Sequence, residues 1–310
     1  MKIYHGLEAF KKVKNPVVTV GTFDGVHIGH NRIFRHMRKL AESCQGETVV
    51  LTFHPHPRLV IHPDSKGLKF INTLEKKYEL IESYGIDHLV IIPFTKEFSQ
   101  TNARTFIKDI LYDKIGLCQL VVGYDHHFGK NREGTFAELE SLARELNFIV
   151  EQIPEQDVNN IAISSTKIRN ALKEGKVDIA NALLGYEYSI TGKVVPGNKI
   201  GRKIGFPTAN IELKDEYKLI TAVGVYACRV EWKGKLFLGM GNIGYRPTID
   251  HSDLTIEVHI FDFDEEIYGD TITIFFVDRI RDEVKFKDIE ALREQLVKDR
   301  ETVKHRLLDH

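Results

Sequence analysis

Two histidines three residues apart, His27 and His30, lie inside the string GTFDGVHIGH, directly after the apolar run Val17-Val18-Thr19-Val20. A buried strand, a glycine turn and then a helix make a phosphate-binding arrangement. Glycines let the backbone approach an anion, and the first turn of a helix offers unpaired N–H groups and positive potential. At this spacing both imidazoles share one side of the helix and can donate to one phosphate. Gly21, Phe23 and Gly25 form the turn. Two other readings stay open. The histidines could be solvated helix-start residues. As zinc ligands they would need a third protein ligand, and no HExxH pattern supplies one.

Two further strings carry oxygen chemistry. In GFPTANIEL, Thr208 and Asn210 place neutral oxygens two residues apart, on one side of an extended chain. Such a string is usually a plain turn, yet magnesium bound mainly through nucleotide phosphates and water needs few protein ligands. The string is not a Walker loop, because Gly197 to Gly201 has the wrong spacing and no Lys-Ser/Thr follows. In TIEVHIF, Ile256, Val258 and Ile260 alternate with Thr255, Glu257 and His259. Glu257 therefore points away from the apolar face, either to solvent or into a cavity if the strand belongs to a ligand-enclosing barrel.

The elements that must position these residues can be read from periodicity. Val17–Val20, Thr48–Phe53, His88–Phe94, Gln119–Tyr124 and Phe148–Ile153 are near-continuous Val, Ile and Leu, as in strands buried on both faces. Helical patterns separate them at about Asn31–Glu42, Leu74–Tyr84, Arg104–Leu111 and Phe136–Leu146. This alternation predicts an α/β doubly wound parallel sheet, whose ligands bind at the C-terminal strand ends. GTFDGVHIGH, FHPHPR and GYDHHFGKNREGT all fall there. A helical stretch runs from Ser164 to Gly185. From Tyr188 to about Ile280 the pattern is strands and turns with no good helix, then a charged amphipathic helix over Asp288–Leu308. Alternating runs around Lys233-Gly234 signal a hairpin, and LTIEVHIFDFDEEIYGDTITIFFVDRI reads as another pair around an acidic turn. The expectation is a small antiparallel β-barrel with a C-terminal helix, with domains at 1–185 and 186–310.

At 310 residues and 42% apolar content the chain can fill two cores. A formal net charge of −1 removes any global electrostatic case for nucleic acid or an acidic membrane. Three scattered cysteines, Cys44, Cys118 and Cys228, fit a reducing compartment, and no CxxC argues for zinc. The first residues lack a continuous apolar stretch and no run approaches a membrane span, so a cytoplasmic location is expected.

The HIGH string resembles the signature of the HxGH nucleotidyltransferase superfamily, whose members attack the α-phosphorus of ATP and expel pyrophosphate. Their second signature, a Lys- or Arg-bearing loop at a later helix start, is matched by ISSTKIRNAL. There Ser164, Ser165 and Thr166 can cap the helix, while Lys167 and Arg169 could hold the departing phosphates; a well-capped helix is the plainer reading. The whole chain resembles the bacterial bifunctional riboflavin kinase/FAD synthetase family through GTFDGVHIGH, FHPHP, GYDHHFGKNREGT, SSTKIR, GFPTAN, GNIGYRPT and TIEVHIFDFDEEIYGD, in family order. One departure is His126, where the family commonly has Phe. The resemblance implies that the C-terminal domain phosphorylates riboflavin with ATP to FMN, and that the N-terminal domain adenylylates FMN to FAD. It implies Glu257 as base, and Thr208 and Asn210 as holders of Mg2+ and kinase phosphates. The loop carrying Gly197 and Lys203 would cover them, and Arg246 of GNIGYRPT would join the binding set. His27, His30 and Arg169 would serve adenylyl transfer, with Asp125, Phe128, Gly129 and His54 lining the same cleft; His56 is a weaker member. The expected partners are riboflavin, FMN and ATP, with no nucleic acid, no membrane and self-association left open.

Two rivals remain. Another HxGH adenylyl- or cytidylyltransferase would leave Thr208, Asn210 and Glu257 idle, and a tRNA synthetase fits poorly with a short, near-neutral chain. A flavin carrier without turnover would have no need of the complete residue set.

Overall fold

Each residue of Val17-Val18-Thr19-Val20 is buried, which only a strand covered on both faces allows. The computed structural model describes residues 1–308, apart from 65–66, 125–128, 131–133, 155–156, 159–160, 198–199 and 248–251. For residues 157, 158, 161, 162, 200, 246, 247, 252 and 253 it describes the backbone alone. By packing, the chain divides into Met1–Ser165 and Thr166–His310.

The first unit runs β1 (Lys2–His5), β2 (Val17–Val20), α1 (Ile28–Cys44), β3 (Thr48–His54), α2 (Pro57–Ile61), α3 (Leu74–Ser83), β4 (His88–Pro93) and α4 (Ala103–Thr105). α4 continues as a wider π-helical stretch over Phe106–Ile115. β5 (Gln119–Gly123), α5 (Phe136–Leu146), β6 (Ile149–Ile153) and the short pair β7 (Asp157–Val158) and β8 (Ile161–Ala162) follow. Six strands form one parallel sheet in the order β1-β4-β3-β2-β5-β6. Strand alternation sends Val18, Val20, Leu51 and Val122 to a layer with Leu111, Leu139 and Leu142. It sends Val17, Val50, Leu89 and Val121 to a layer with Phe34, Met37 and Ile81. The expected doubly wound sheet is present. Its sixth strand, β1, was missed: KIYH is short, largely exposed and at the edge, so it carries no continuous apolar run. β6 is the opposite edge and is only partly buried, which departs from the expected two-sided burial.

The chain steps outward from β2 to β3 and β4, then returns to place β5 on the other side of β2, so the strand order reverses at β2. β2 pairs with β3 through all four residues but with β5 only through Val17 and Val18. The two strands part towards their C-terminal ends, and a crevice of this kind is where open α/β sheets bind ligands.

The second unit begins with α6 (Ser165–Lys173, counted here from Thr166) and α7 (Val177–Leu184). The expected single helical stretch is broken at Gly175, whose φ is +76° and where a Cβ would lie 2.8 Å from the Arg279 side chain. Then come β9 (Tyr188–Val195), α8 (Ile200–Lys203), β10 (Ala209–Glu212), β11 (Gly224–Trp232), β12 (Lys235–Pro247), β13 (Ser252–Ile260), β14 (Thr271–Arg281) and α9 (Ile289–Leu308). Six antiparallel strands close a barrel in the order β10-β13-β12-β11-β14-β9. Trp232 pairs with Lys235 across Lys233-Gly234, both at positive φ, which is the expected two-residue hairpin. The second expected pairing is corrected: β13 pairs with β12 and β10, and β14 with β11 and β9. Alternation identifies strands but not their partners, and the ten-residue link 261–270 is long enough to carry the chain past two strands. The four-residue α8 was also not expected.

α6 and α7 join this unit through hydrogen bonds. Thr221 Oγ1 donates to the Leu172 carbonyl (2.8 Å), and Asn181 Nδ2 donates to the Phe276 carbonyl (2.8 Å). α9 packs Val303 and Leu307 against Phe206, Ala227, Met240 and Phe261. Asp299, 2% exposed, takes the Arg281 guanidinium at 2.6 Å and fixes the helix.

Candidate functional site

The turn after β2 reaches α1 through three residues at positive φ: Phe23 (47°), Gly25 (85°) and Val26 (39°). For non-glycine residues this conformation costs about 1–3 kcal/mol each and persists only where packing enforces it. Phe23 and Val26 are buried among Phe34 and its neighbours. A Cβ on Gly21 would lie 2.9 Å from the Phe23 ring, so that glycine makes room for Phe23. Gly29 does the same for His27, whose ring atoms lie 3.1 Å from where its Cβ would be.

His27 caps α1 and is buried. Its backbone N–H donates to His30 Nδ1 (3.2 Å), and the two rings stack with centroids 3.6 Å apart. Phe23 meets His30 edge-on at 5.1 Å. Burial, then His27, then Lys77 hold the His30 pKa well below the ordinary value, so the ring is neutral at pH 7. Because Nδ1 accepts, the neutral ring carries its proton on Nε2, a donor available to an anion.

Three other segments fasten this turn. The Asp24 carboxylate accepts from the N–H of Ile71 (2.9 Å) and Asn72 (3.4 Å). Ser165 Oγ donates to the Asp24 carbonyl (2.8 Å), both residues lying in the first unit. Lys77, 7% exposed on α3, donates from Nζ to the Thr22 carbonyl (2.8 Å). Burial lowers the Lys77 pKa and the Asp24 charge partly offsets this. Asp24 and Lys77 were missed from sequence. The signal was present: Leu74, Lys77, Tyr78 and Ile81 share helical spacing, which puts a lysine on the apolar stripe.

His54 ends β3, next to β2, and is exposed. His56 instead shapes its loop: Nδ1 accepts from the Arg58 N–H (3.1 Å), and the ring stacks on Phe70 at 4.4 Å. Gly129 approaches Ala103 so closely that a Cβ would lie 2.6 Å from its nitrogen. Asp125, His126 and Phe128 lie outside the described residues. Ser164 precedes α6; Thr166, Lys167 and Arg169 are on α6 and belong to the second packing unit.

In the second unit Glu257 of β13 stands opposite Asn210 of β10 on one side and Asn242 of β12 on the other. Residues opposed in an antiparallel ladder share a face, so this rung aligns three polar side chains. Thr208 Oγ1 donates to Glu257 Oε2 (3.0 Å). Gly197, after β9, lies against the rung: a Cβ there would fall 2.2 Å from Asn210 Nδ2. Lys203 is exposed on α8. Arg246 pairs with Asp253 through the backbone, and its side chain is outside the description. Asn242 was not singled out, because its partner strand could not be known.

The rung lies on the outer face of the barrel. His259 shares the Glu257 face, and its opposite residue Met240 packs in the α9 layer. The inner face carries Ile256 and Val258, buried like Tyr226, Cys228, Ile274 and Phe276. The conditional expectation of a polar, ligand-enclosing interior is therefore corrected. Among the described residues no group of three His, Cys, Asp or Glu side chains is placed to hold a metal.

A family model described as FAD synthetase matches residues 10–167, and one described as riboflavin kinase matches residues 184–307. The bifunctional riboflavin kinase/FMN adenylyltransferase of Listeria monocytogenes is 40% identical over 286 residues, covering 92% of this chain and 90% of its own. This chain belongs to that bifunctional family. Its namesake from Buchnera aphidicola subsp. Schizaphis graminum is 38% identical and covers 98% of each chain; that of Escherichia coli K12 is 32% identical and covers 98% of this chain and 97% of its own. A crystal structure described as a macrolide-efflux protein from Streptococcus pneumoniae has the same fold, with a TM-score of 0.89, 32% identity and coverage of 97% of this chain and 98% of that one. Among the described residues no helix here is long and apolar enough to cross a membrane. In family terms, His27 and His30 fall in the FAD synthetase stretch, and Thr208, Asn210 and Glu257 in the riboflavin kinase stretch. Arg169 falls between the two matches.

Proposed function

We propose that Glu257, Thr208 and Asn210 carry the phosphorylation of riboflavin to FMN, and that His27 and His30 carry the adenylylation of FMN to FAD, both from ATP. Membership of the bifunctional family supplies the two activities. The division of residues between them follows from what each reaction demands. The kinase nucleophile is a neutral alcohol, the ribityl 5′-hydroxyl, and needs a base as its oxygen bonds to the γ-phosphorus and ADP leaves. Glu257 supplies the carboxylate. The adenylylation nucleophile is already an anion: an FMN phosphate oxygen bonds to the α-phosphorus of ATP and pyrophosphate leaves. That step needs positioning and charge neutralisation, not a base. The strand-to-helix turn supplies donors: His30 Nε2–H, the His27 ring and the first N–H groups of α1. Gly25, Phe23 and Gly21 set the turn's path, and Gly129, His54 and Ser164 are proposed to line the cleft; Asp125, Phe128 and Thr166 are proposed as further binding residues on the family resemblance alone. Arg169 is proposed to hold the departing pyrophosphate.

Magnesium is the cation we propose for the kinase. Thr208 and Asn210 offer hard neutral oxygens beside a carboxylate, which suits an ion held chiefly by phosphates and water. Bound there, it would offset phosphate charge. Gly197, Lys203 and Arg246 would enclose the nucleotide. The proposed functional division at 185/186 differs from the packing division after Ser165.

The observation that carries the proposal is the rung itself: Thr208 Oγ1 on the Glu257 carboxylate, with Asn210 opposite. Riboflavin, Mg2+ and ATP incubated with the protein should give FMN and then FAD on chromatography. Bound but unchanged riboflavin would favour a carrier, and FMN without FAD would remove the adenylylation reading.

A further inference from the structure

β10 pairs with β13 at only two rungs, Ala209 with Val258 and Asn210 with Glu257. Extended by one residue, the ladder would oppose Thr208 to His259, but β10 starts at Ala209. Pro207 cannot donate a backbone hydrogen bond, so a ladder cannot continue through it. Its carbonyl is nevertheless held: it lies 2.7 Å from His259 Nδ1. A carbonyl only accepts, so His259 carries a proton on Nδ1. The ring is 9% exposed and wedged between Phe206 (5.2 Å) and Phe261 (5.5 Å). Arg300 of α9 lies over Phe206 at 5.6 Å and closes that wedge.

We propose that His259 is a positioning residue for the kinase reaction: its Nδ1–H replaces the missing ladder bond, anchors Pro207, and so sets Thr208 against Glu257 and the nucleotide's metal. This rests on the reading of Thr208, Asn210 and Glu257 as the kinase set. The anchored carbonyl belongs to the residue immediately before Thr208, whose hydroxyl meets Glu257. Freed of that anchor, the backbone ladder to β13 starts at Ala209, and the Thr208 hydroxyl bond to Glu257 has no backbone pairing beside it.

The test compares His259→Ala, His259→Asn and His259→Gln in the full chain. An asparagine amide nitrogen can occupy the position of Nδ1; a glutamine amide matches Nε2. Riboflavin phosphorylation is measured against free Mg2+, with FAD formation from supplied FMN as the internal control. His259→Ala should lower kinase kcat on the order of 10²-fold, the scale of a misplaced reacting group, and raise the Mg2+ needed for half-activity. His259→Asn should recover most of that loss and His259→Gln should not. FAD formation should follow the wild type throughout. Equal losses in Asn and Gln, or an unshifted Mg2+ dependence, would overturn the anchor. If the alanine variant does not fold, the Asn and Gln comparison decides. Glu257→Gln is run alongside. Normal phosphorylation in that variant would sink the underlying kinase reading by itself, whatever the His259 series shows.

Discussion

Lys77→Met removes a buried ammonium while keeping roughly the length of the side chain. Two effects on stability oppose each other. The charge-assisted bond to the Thr22 carbonyl, worth about 1.5–3 kcal/mol, is lost. The desolvation penalty of an ammonium that is 7% exposed, several kcal/mol, disappears as well. The Thr22 carbonyl is also approached by the Thr52 hydroxyl at 3.5 Å. Net stability should therefore change by only about 1–2 kcal/mol. Function should change more. Phe23 and Val26 hold strained φ values of about 1–3 kcal/mol each. Loosening the Thr22 end lets that strain relax by moving the turn that carries His27 and His30. A displacement near 1 Å costs about 10²-fold in rate. The assay is FAD formation from FMN and ATP, with riboflavin phosphorylation by the same sample as control. Lys77 is one of the three causes that depress the His30 pKa, so the variant's His30 should titrate closer to the ordinary histidine value by NMR. FAD formation within twofold of wild type, together with an unmoved His30 titration, would refute the reasoning.

Glu257→Gln should block riboflavin phosphorylation while supplied FMN still becomes FAD, as separate rate measurements would show. His27→Ala with His30→Ala should have the opposite effect, with FAD formation falling on the order of 10²–10³-fold or more and FMN formation intact; loss of FMN formation in a folded double variant would contradict it. The pH dependence of stability has a definite sign. His30 binds its proton less readily folded than unfolded, so its contribution is present above the unfolded value of about 6.5 and is lost as pH falls below it. Denaturant melts of the first unit should weaken below about pH 6.5, and His30→Asn should flatten that slope.

The sheet could be read from Val17–Val20 and its counterparts because burial on both faces selects mainly apolar residues. β1 escaped because an exposed edge strand needs no such run. His27 and His30 stand out in the sequence because the glycine turn and helix start that place them are their sequence neighbours. Asp24 and Lys77 act across 48 and 55 residues of chain, on Asn72 and Thr22 respectively, and such links are invisible without the fold. Glu257 was legible through strand alternation. Asn242 was not, since its place beside Glu257 depends on which strand is the neighbour. The same gap misassigned β13 and β14 as a pair and left open whether Glu257 faces outward or into the barrel, whose interior apolar side chains fill.

The imidazole pair at the β2–α1 turn is proposed to grip the phosphates of ATP. A crystal of the protein soaked with a non-hydrolysable ATP analogue tests it most directly. The account predicts phosphate oxygens within hydrogen-bond reach of His30 Nε2 and the His27 ring, against the first turn of α1. A triphosphate bound elsewhere in the first unit, with both rings directed away from it, would contradict the account.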